Sequence, residues 1–214
     1  EAAGEVEFTT DAGKVNTPDG WRDVKVAVFA VRERASPSSP ADSEQRELPA
    51  PGVRSVIAAV EEVGLFGPRC RAEANRLGLT EAVRLSMLGD GAEWVWNLAE
   101  ERFCGSKQVL DYYHAVEYLG RAGRASLTAG EFPGWLEQAK GQLLGDGYAG
   151  ACEALGRLSG GGSEIGEALN YLAGHRERIH YAARLRRGQA IGSGLVEGTI
   201  KQRVNLRLKR TGAR

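Results

Sequence analysis

The chain has 214 residues, 42% hydrophobic and 26% charged, the composition of a globular protein rather than of a disordered or fibrous one. That length supports one sizeable core, or one domain carrying an insertion. No run of about 18 apolar residues occurs, so no membrane-spanning helix is expected, and EAAGEVEF at the start has neither the basic nor the apolar part of a signal peptide. The expected location is therefore cytoplasmic. The first residue is not Met, and the chain is expected to be a fragment lacking an upstream part.

The net charge of zero conceals an asymmetry. From His175 to Arg214 there are eleven Lys/Arg and two Asp/Glu, a local excess of nine positive charges. A basic C-terminal region on an otherwise acidic chain points to a polyanionic partner, most simply nucleic acid. Cys70, Cys104 and Cys152 are far apart and odd in number. They have no zinc-ligand or redox spacing and read as buried thiols in a reducing compartment.

In chain order, residues 5–11 (EVEFTTD) are rich in β-formers and read as a strand ending at Asp11. Pro18-Asp19-Gly20 is a turn signal. Residues 21–32 (WRDVKVAVFAVR) alternate well, which predicts a second strand and a hairpin. Residues 33–52 are Pro-, Ser- and acid-rich, a solvated loop with a third strand expected around Gln45–Leu48. Residues 53–77 follow helical spacing at Val56, Ala59, Val60 and Val63, with a break at Gly67-Pro68.

Residues 81–88 (EAVRLSML) form a short apolar strand that stops at Gly89-Asp90-Gly91. A helix from AEWVWNLAEERF follows, with Trp94, Leu98 and Phe103 on its buried face and Trp96 also expected in the core. SKQVLDYY reads as a strand and HAVEYLGRAGRA as a helix. Residues 126–174 alternate helix-like runs with glycine breaks and lack strands. A further helix through HRERIHYAARLRRG ends at Gly188. Then IGSGLVEGTIKQRVNLRLKR, residues 191–210, reads as a Gly-Ser-Gly turn and one basic helix. Glu197 and Lys201 share a face of that helix at i,i+4. The organisation expected is a core over 1–120, a helical insertion over 121–190 and a terminal basic helix over 191–214.

Asp11 and Asp90 would thus sit at the carboxyl ends of strands, where open α/β sheets bind ligands, and Glu197 would lie on the terminal helix. Two Asp and one Glu are hard oxygen ligands suited to Mg²⁺ or Mn²⁺. Two such ions about 3.5–4 Å apart serve phosphodiester chemistry, which also needs a cationic wall for the phosphates. Each acid has a plainer reading: Asp90 as a turn residue capping the next helix, Glu197 as a first-turn acid, and Asp11 as a turn residue, with Asp19 and Asp23 its competitors for the site and Asp19 itself a turn former.

LGDGAEWVWNLAEERFCGSKQVLDYYHAVEYL resembles the second-Asp block of DDE-type insertion-sequence transposases of the Kra group, which have kinship to the Mutator-like superfamily. QAIGSGLVEGTIKQRVNLRLKRTGAR resembles that family's Glu block, and FTTDAGKVNTPDGWRDVKVAVF its first-Asp block. The three come in the family's order and span nearly the whole chain. The resemblance implies an α/β, RNase H-like mixed sheet flanked by helices, with an all-helical insertion before the last catalytic helix. It implies a catalytic set of Asp11, Asp90 and Glu197 holding two Mg²⁺ or Mn²⁺ ions. Asp111 and His114 match the family's Asp-x-x-His, as supporting residues around the metal site or as a helix-start pair satisfied by backbone. Lys201, Arg203, Arg207, Lys209 and Arg210 would contact DNA. The implied activity is DNA cleavage and strand transfer by a homo-oligomer on double-stranded DNA, nucleoid-associated in a prokaryote, with no membrane. The alternative is an inactive DNA-binding remnant.

Overall fold

The computed structural model describes residues 4–43, 45–79 and 85–201. It is an α/β structure with one five-stranded mixed sheet flanked by helices. Contacts divide the chain into two units: 1–33, 49–108 and 193–214 form the first, 34–48 and 109–192 the second. The chain passes from the first to the second within its fifth strand.

The first unit is built on a long hairpin, β1 (Glu5–Thr17) and β2 (Gly20–Arg32), antiparallel from Glu5↔Arg32 to Thr17↔Gly20. The expected turn at Pro18-Asp19-Gly20 is present, with Gly20 at φ 103°, a conformation that costs glycine little. Two expectations are corrected. β1 does not end at Asp11; it runs six residues further, because Gly13 and Val15 continue the inward face opposite Val24 and Arg22. The third strand is not at Gln45–Leu48 but is β3 (Val53–Ala59), antiparallel to β2 from Val53↔Val31 to Ala59↔Lys25. Its apolar residues fit helical spacing and strand alternation alike, and the open edge of β2 decides between them.

Helix α1 (Val63–Arg76) follows, and Pro68 lies inside it rather than breaking it. Strand β4 (Leu85–Gly89) pairs parallel with β1 over Val6↔Leu85 to Thr9↔Leu88. Helix α2 (Glu93–Arg102) and strand β5 (Lys107–Leu110) complete the strand order β3-β2-β1-β4-β5. One face of the sheet carries Phe8, stacked on Phe29 at 4.5 Å and 4.8 Å from Phe103. Phe66 and Cys70 of α1 and Val95, Leu98 and Ala99 of α2 are buried with them. Trp96 is buried as expected, whereas Trp94 is only half-buried, 6.5 Å from Phe66. The other face carries Val15, Val24, Val26 and Val28, which form a cluster with Val196 and Ile200. Those two residues belong to the region of helix α7 (Gly194–Thr199) and the turn that continues it.

The second unit is helical: α3 (Tyr112–Ser126), α4 (Phe132–Gly156), α5 (Gly162–Gly174) and α6 (Tyr181–Arg186). The strand-free region from 126 to 174 is as expected. α3 packs on α4 and α5 and so groups with them. It buries Tyr112, Ala115, Leu119, Ala122 and Gly123, a stripe of helical period. α4 is kinked at Gly147 (φ 61°, ψ −134°), and a Cβ there would meet the Ile179 carbonyl oxygen at 2.9 Å. The helix expected through Gly188 is interrupted: a 3₁₀ turn at Arg176–Arg178 separates α5 from α6. The segment 34–48 is tied to this unit by Ala35 N–H to Gly188 O at 3.0 Å and Ser38 N–H to Leu185 O at 3.1 Å. Among the described residues no helix is long and apolar enough to cross a membrane.

Candidate active site

Asp11 and Asp90 follow the last β1–β4 pair at the same distance along the chain. The parallel pairing of β1 with β4 ends at Thr9↔Leu88; Asp11 lies two residues further along β1, and Asp90 two residues past Leu88, just beyond the end of β4. Neighbouring strands run about 4.8 Å apart, and residues two apart return to the same face. Asp11 therefore shares the face of Thr9, while Asp90 stands in the turn just past the end of β4. The face of Asp11 is set by the antiparallel pairs Asp11↔Val26 and Gly13↔Val24. It is the valine face on which α7 packs.

Local structure holds each acid. Asp11 is half-buried in β1, and its Oδ1 accepts from the Ala12 amide at 2.6 Å. Asp90 follows β4 directly. Its Oδ1 accepts from the Ala92 amide at 3.0 Å, closing the turn into α2, and Gly91 takes φ 100°. Gly89 is required by packing, since a Cβ would lie 2.6 Å from Val95 Cγ1. Asp90 is thus a turn residue but not the cap of α2, whose N-cap is Ala92 with no side-chain cap bond, and a glycine on each side keeps the backbone there approachable.

Glu197 is half-buried in α7. Its Oε1 accepts from the Ser193 hydroxyl at 3.3 Å. Val196 (fully buried) and Ile200 anchor the helix on the valines of β1 and β2. A Cβ on Gly13 would touch Ile200 Cγ2 at 3.3 Å, so the helix crosses the strand one same-face step past Asp11. Lys201 is exposed. Arg203, Arg207, Lys209 and Arg210 lie outside the described residues.

The same face continues beneath the aspartates as a buried polar row. Arg32 Nε lies 2.7 Å from Glu7 Oε1, and Arg32 Nη2 donates to Glu7 Oε2 at 3.1 Å. The Ser86 hydroxyl donates to Glu5 Oε1 at 2.7 Å. Reading EVEFTTD at period two would have placed Glu5, Glu7, Thr9 and Asp11 together. Arg54 of β3, which bonds to Leu195 and Thr199 of α7, carried no signal in the sequence.

In the second unit Asp111 and His114 do pair. Asp111 is fully buried and is the N-cap of α3, its Oδ1 accepting from the His114 amide at 3.0 Å, with His114 Nδ1 3.4 Å from the same oxygen. The Tyr181 hydroxyl donates to Leu110 O at 3.0 Å. Burial first, and then the Asp111 carboxylate, push the Tyr181 phenol well above its usual range, so it stays a donor. The helix-start role of the pair is therefore realised.

The thiols differ from expectation: Cys70 is buried, Cys104 exposed and Cys152 half-buried, all unpaired. Burial and then Glu61 raise the Cys70 thiol to about 12. No protein-family model matches the sequence, and no curated protein matches it significantly.

Proposed function

We propose that this chain is the catalytic domain of a DDE-type transposase of the Kra group, which cuts DNA and joins transposon ends to target DNA. The observation that supports the reading is the parallel pairing of β1 with β4, which ends at Thr9↔Leu88 two residues short of both Asp11 and Asp90, together with the packing of the Glu197 helix on the valine face of β1 and β2. A mixed sheet flanked by helices is compatible with an RNase H-like fold. The donor set suits a hard divalent cation, being three carboxylates with no thiolate or imidazole among them. Asp11, Asp90 and Glu197 would hold Mg²⁺ or Mn²⁺. When bound, such a pair of ions makes an oxygen nucleophile available at neutral pH and neutralises charge on the phosphate. The chain's own residues fix the geometry. β1 holds Asp11 within the strand, the turn after β4 holds Asp90, and α7 carries Glu197 on an apolar footing. Lys201, Arg203, Arg207, Lys209 and Arg210 supply the cationic flank for duplex DNA.

The test is nicking of supercoiled plasmid in Mn²⁺, with strand transfer scored on the same DNA. Wild type is expected to nick only with a divalent ion, and Asp11→Asn, Asp90→Asn and Glu197→Gln to abolish it. Plasmid binding without nicking by wild type would instead leave a DNA-binding remnant. Full nicking by Asp90→Asn would overturn the metal site.

A further inference from the structure

Helix α7 spans Gly194–Thr199, and a turn continues it through Lys201. Val196 and Ile200 bury one side of it against the valines of β1 and β2. At about 100° per residue, those two residues point in nearly one direction, and Glu197 lies roughly 80° away from their mean. Leu195, half-buried, also packs against that cluster, and an apolar footing of this kind is non-directional.

A second grip falls on the side of α7 across from Glu197. Arg54 on β3 pairs with Ala30, which pairs with Glu7, and so lies on the same sheet face as Asp11. Arg54 Nη2 donates to Leu195 O at 3.2 Å and to Thr199 Oγ1. Thr199 Oγ1 in turn donates to Leu195 O at 2.7 Å, and Thr199 is 1% exposed. Leu195 and Thr199 lie within about 40° of each other around the helix, and roughly 180° from Glu197. Arg54 therefore holds the side of α7 diametrically across from the carboxylate. These bonds are directional and charge-assisted, and they begin on a strand rather than on a loop.

We propose that Arg54 is a positioning residue for Glu197. With the apolar footing as pivot, Arg54 locks α7 in one rotational setting, and that setting fixes how far Glu197 stands from Asp11 and Asp90. This inference rests on the function proposed above, and it assigns Arg54 no contact with DNA or metal.

The experiment uses the full chain and two readouts, with inorganic Mn²⁺ as the probe. Hydrogen exchange of the 194–200 segment, measured by mass spectrometry, reports the helix directly. The Mn²⁺ concentration giving half-maximal plasmid nicking reports the site. Arg54→Met is expected to raise exchange in 194–200 about tenfold, to leave the β1–β2 hairpin unchanged, and to cut the nicking rate about ten- to a hundredfold with a higher Mn²⁺ midpoint. Arg54→Lys, which keeps a cationic donor, should recover most of both. Thr199→Val removes the shared acceptor while leaving Arg54 in place, and should give a milder version of the same pair of changes. It replaces Arg54→Met as the deciding variant if that one loosens the hairpin as well. An active wild type with unchanged nicking in these variants overturns the inference alone, even if exchange rises. A wild type that neither responds to Mn²⁺ nor nicks plasmid overturns the transposase reading, and Arg54's role falls with it.

Discussion

Asp90 does two things with one side chain, and its two substitutions should separate them. Its Oδ1 closes the turn into α2 by accepting from Ala92, while its charge is what the proposed cation site uses. Asn keeps the acceptor and removes the charge. Asp90→Asn should therefore lose Mn²⁺-dependent nicking with stability unchanged to within about 0.5 kcal/mol. Asp90→Ala should lose nicking and also about 1 kcal/mol of stability in urea denaturation. Asp111 offers the contrast in the second unit. As a buried N-cap its truncation to Ala should cost about 0.5–2 kcal/mol, read from the same denaturation curves. The thiols give a third check at this scale. Cys104 is exposed, whereas Cys70 is buried with its thiol raised to about 12. A disulfide reagent at pH 8 should label Cys104 quickly and Cys70 only after denaturation. Asp90 was legible in the sequence because Gly-Asp-Gly after an apolar run names both a strand end and a tight turn. Arg54 was not, because its partners Leu195 and Thr199 lie more than 140 residues away, and no local pattern encodes a contact of that separation.

At the scale of elements, β3 shows why local pattern ran out. Val56, Ala59, Val60 and Val63 satisfy a 3.6 period, and the true boundary between β3 and α1 falls at residues 60–62 in the middle of that set. Only the unpaired edge of β2 selects the strand, and that is tertiary information. The hairpin and β4 were legible because alternation and turn residues agreed. β3 is also bound to α1 by a group that titrates. Glu73 accepts from Arg76 and from the Ser55 hydroxyl. These bonds, Arg76's first, lower its carboxyl to about 2. The folded pKa lies below the ordinary value of 4.5, so the unfolded chain binds more protons between the two. The contribution is complete above about 4.5 and is lost as pH falls toward 2. Glu73→Gln should flatten the stability profile across that window and leave it unchanged in shape at pH 7, a small effect because the pair is solvent-screened. Gly89→Ala tests the packing of α2 on β4. Its Cβ would need the space of Val95 Cγ1, 2.6 Å away, and the cost should be about 1–3 kcal/mol.

For the whole molecule, the charge distribution matters more than its zero sum. Under the proposed reading the basic region from His175 onward is the DNA-facing part. Affinity for plasmid should then fall about 10³-fold or more between 50 and 200 mM salt if six or more phosphates are engaged. Replacing Arg203, Arg207, Lys209 and Arg210 together by Gln should reduce the slope of log affinity against log salt by roughly 3–4. A slope unchanged by that variant would move the DNA surface elsewhere. The buried pair of Arg32 and Glu7, with side chains 6% and 1% exposed, belongs to this scale too, since it joins both arms of the hairpin. Arg32→Met would strand a buried carboxylate and should cost about 3–5 kcal/mol, enough to unfold a marginal domain.

The sheet unit is threaded by two excursions, so its last segment begins only at Ser193. Asp11 and Asp90 leave the ribosome early, whereas Glu197 is made 186 residues after Asp11. At about 5–20 residues per second, that is a delay of roughly 10–40 s. Over the last 107 residues of that interval, after Asp90 is made, the nascent chain holds two of the three carboxylates and no α7 to cover the valine face of β1 and β2. Under the proposed reading, a product released before residue 193 is inert toward DNA yet carries an uncovered apolar sheet surface, so abortive synthesis would yield aggregation rather than stray cutting.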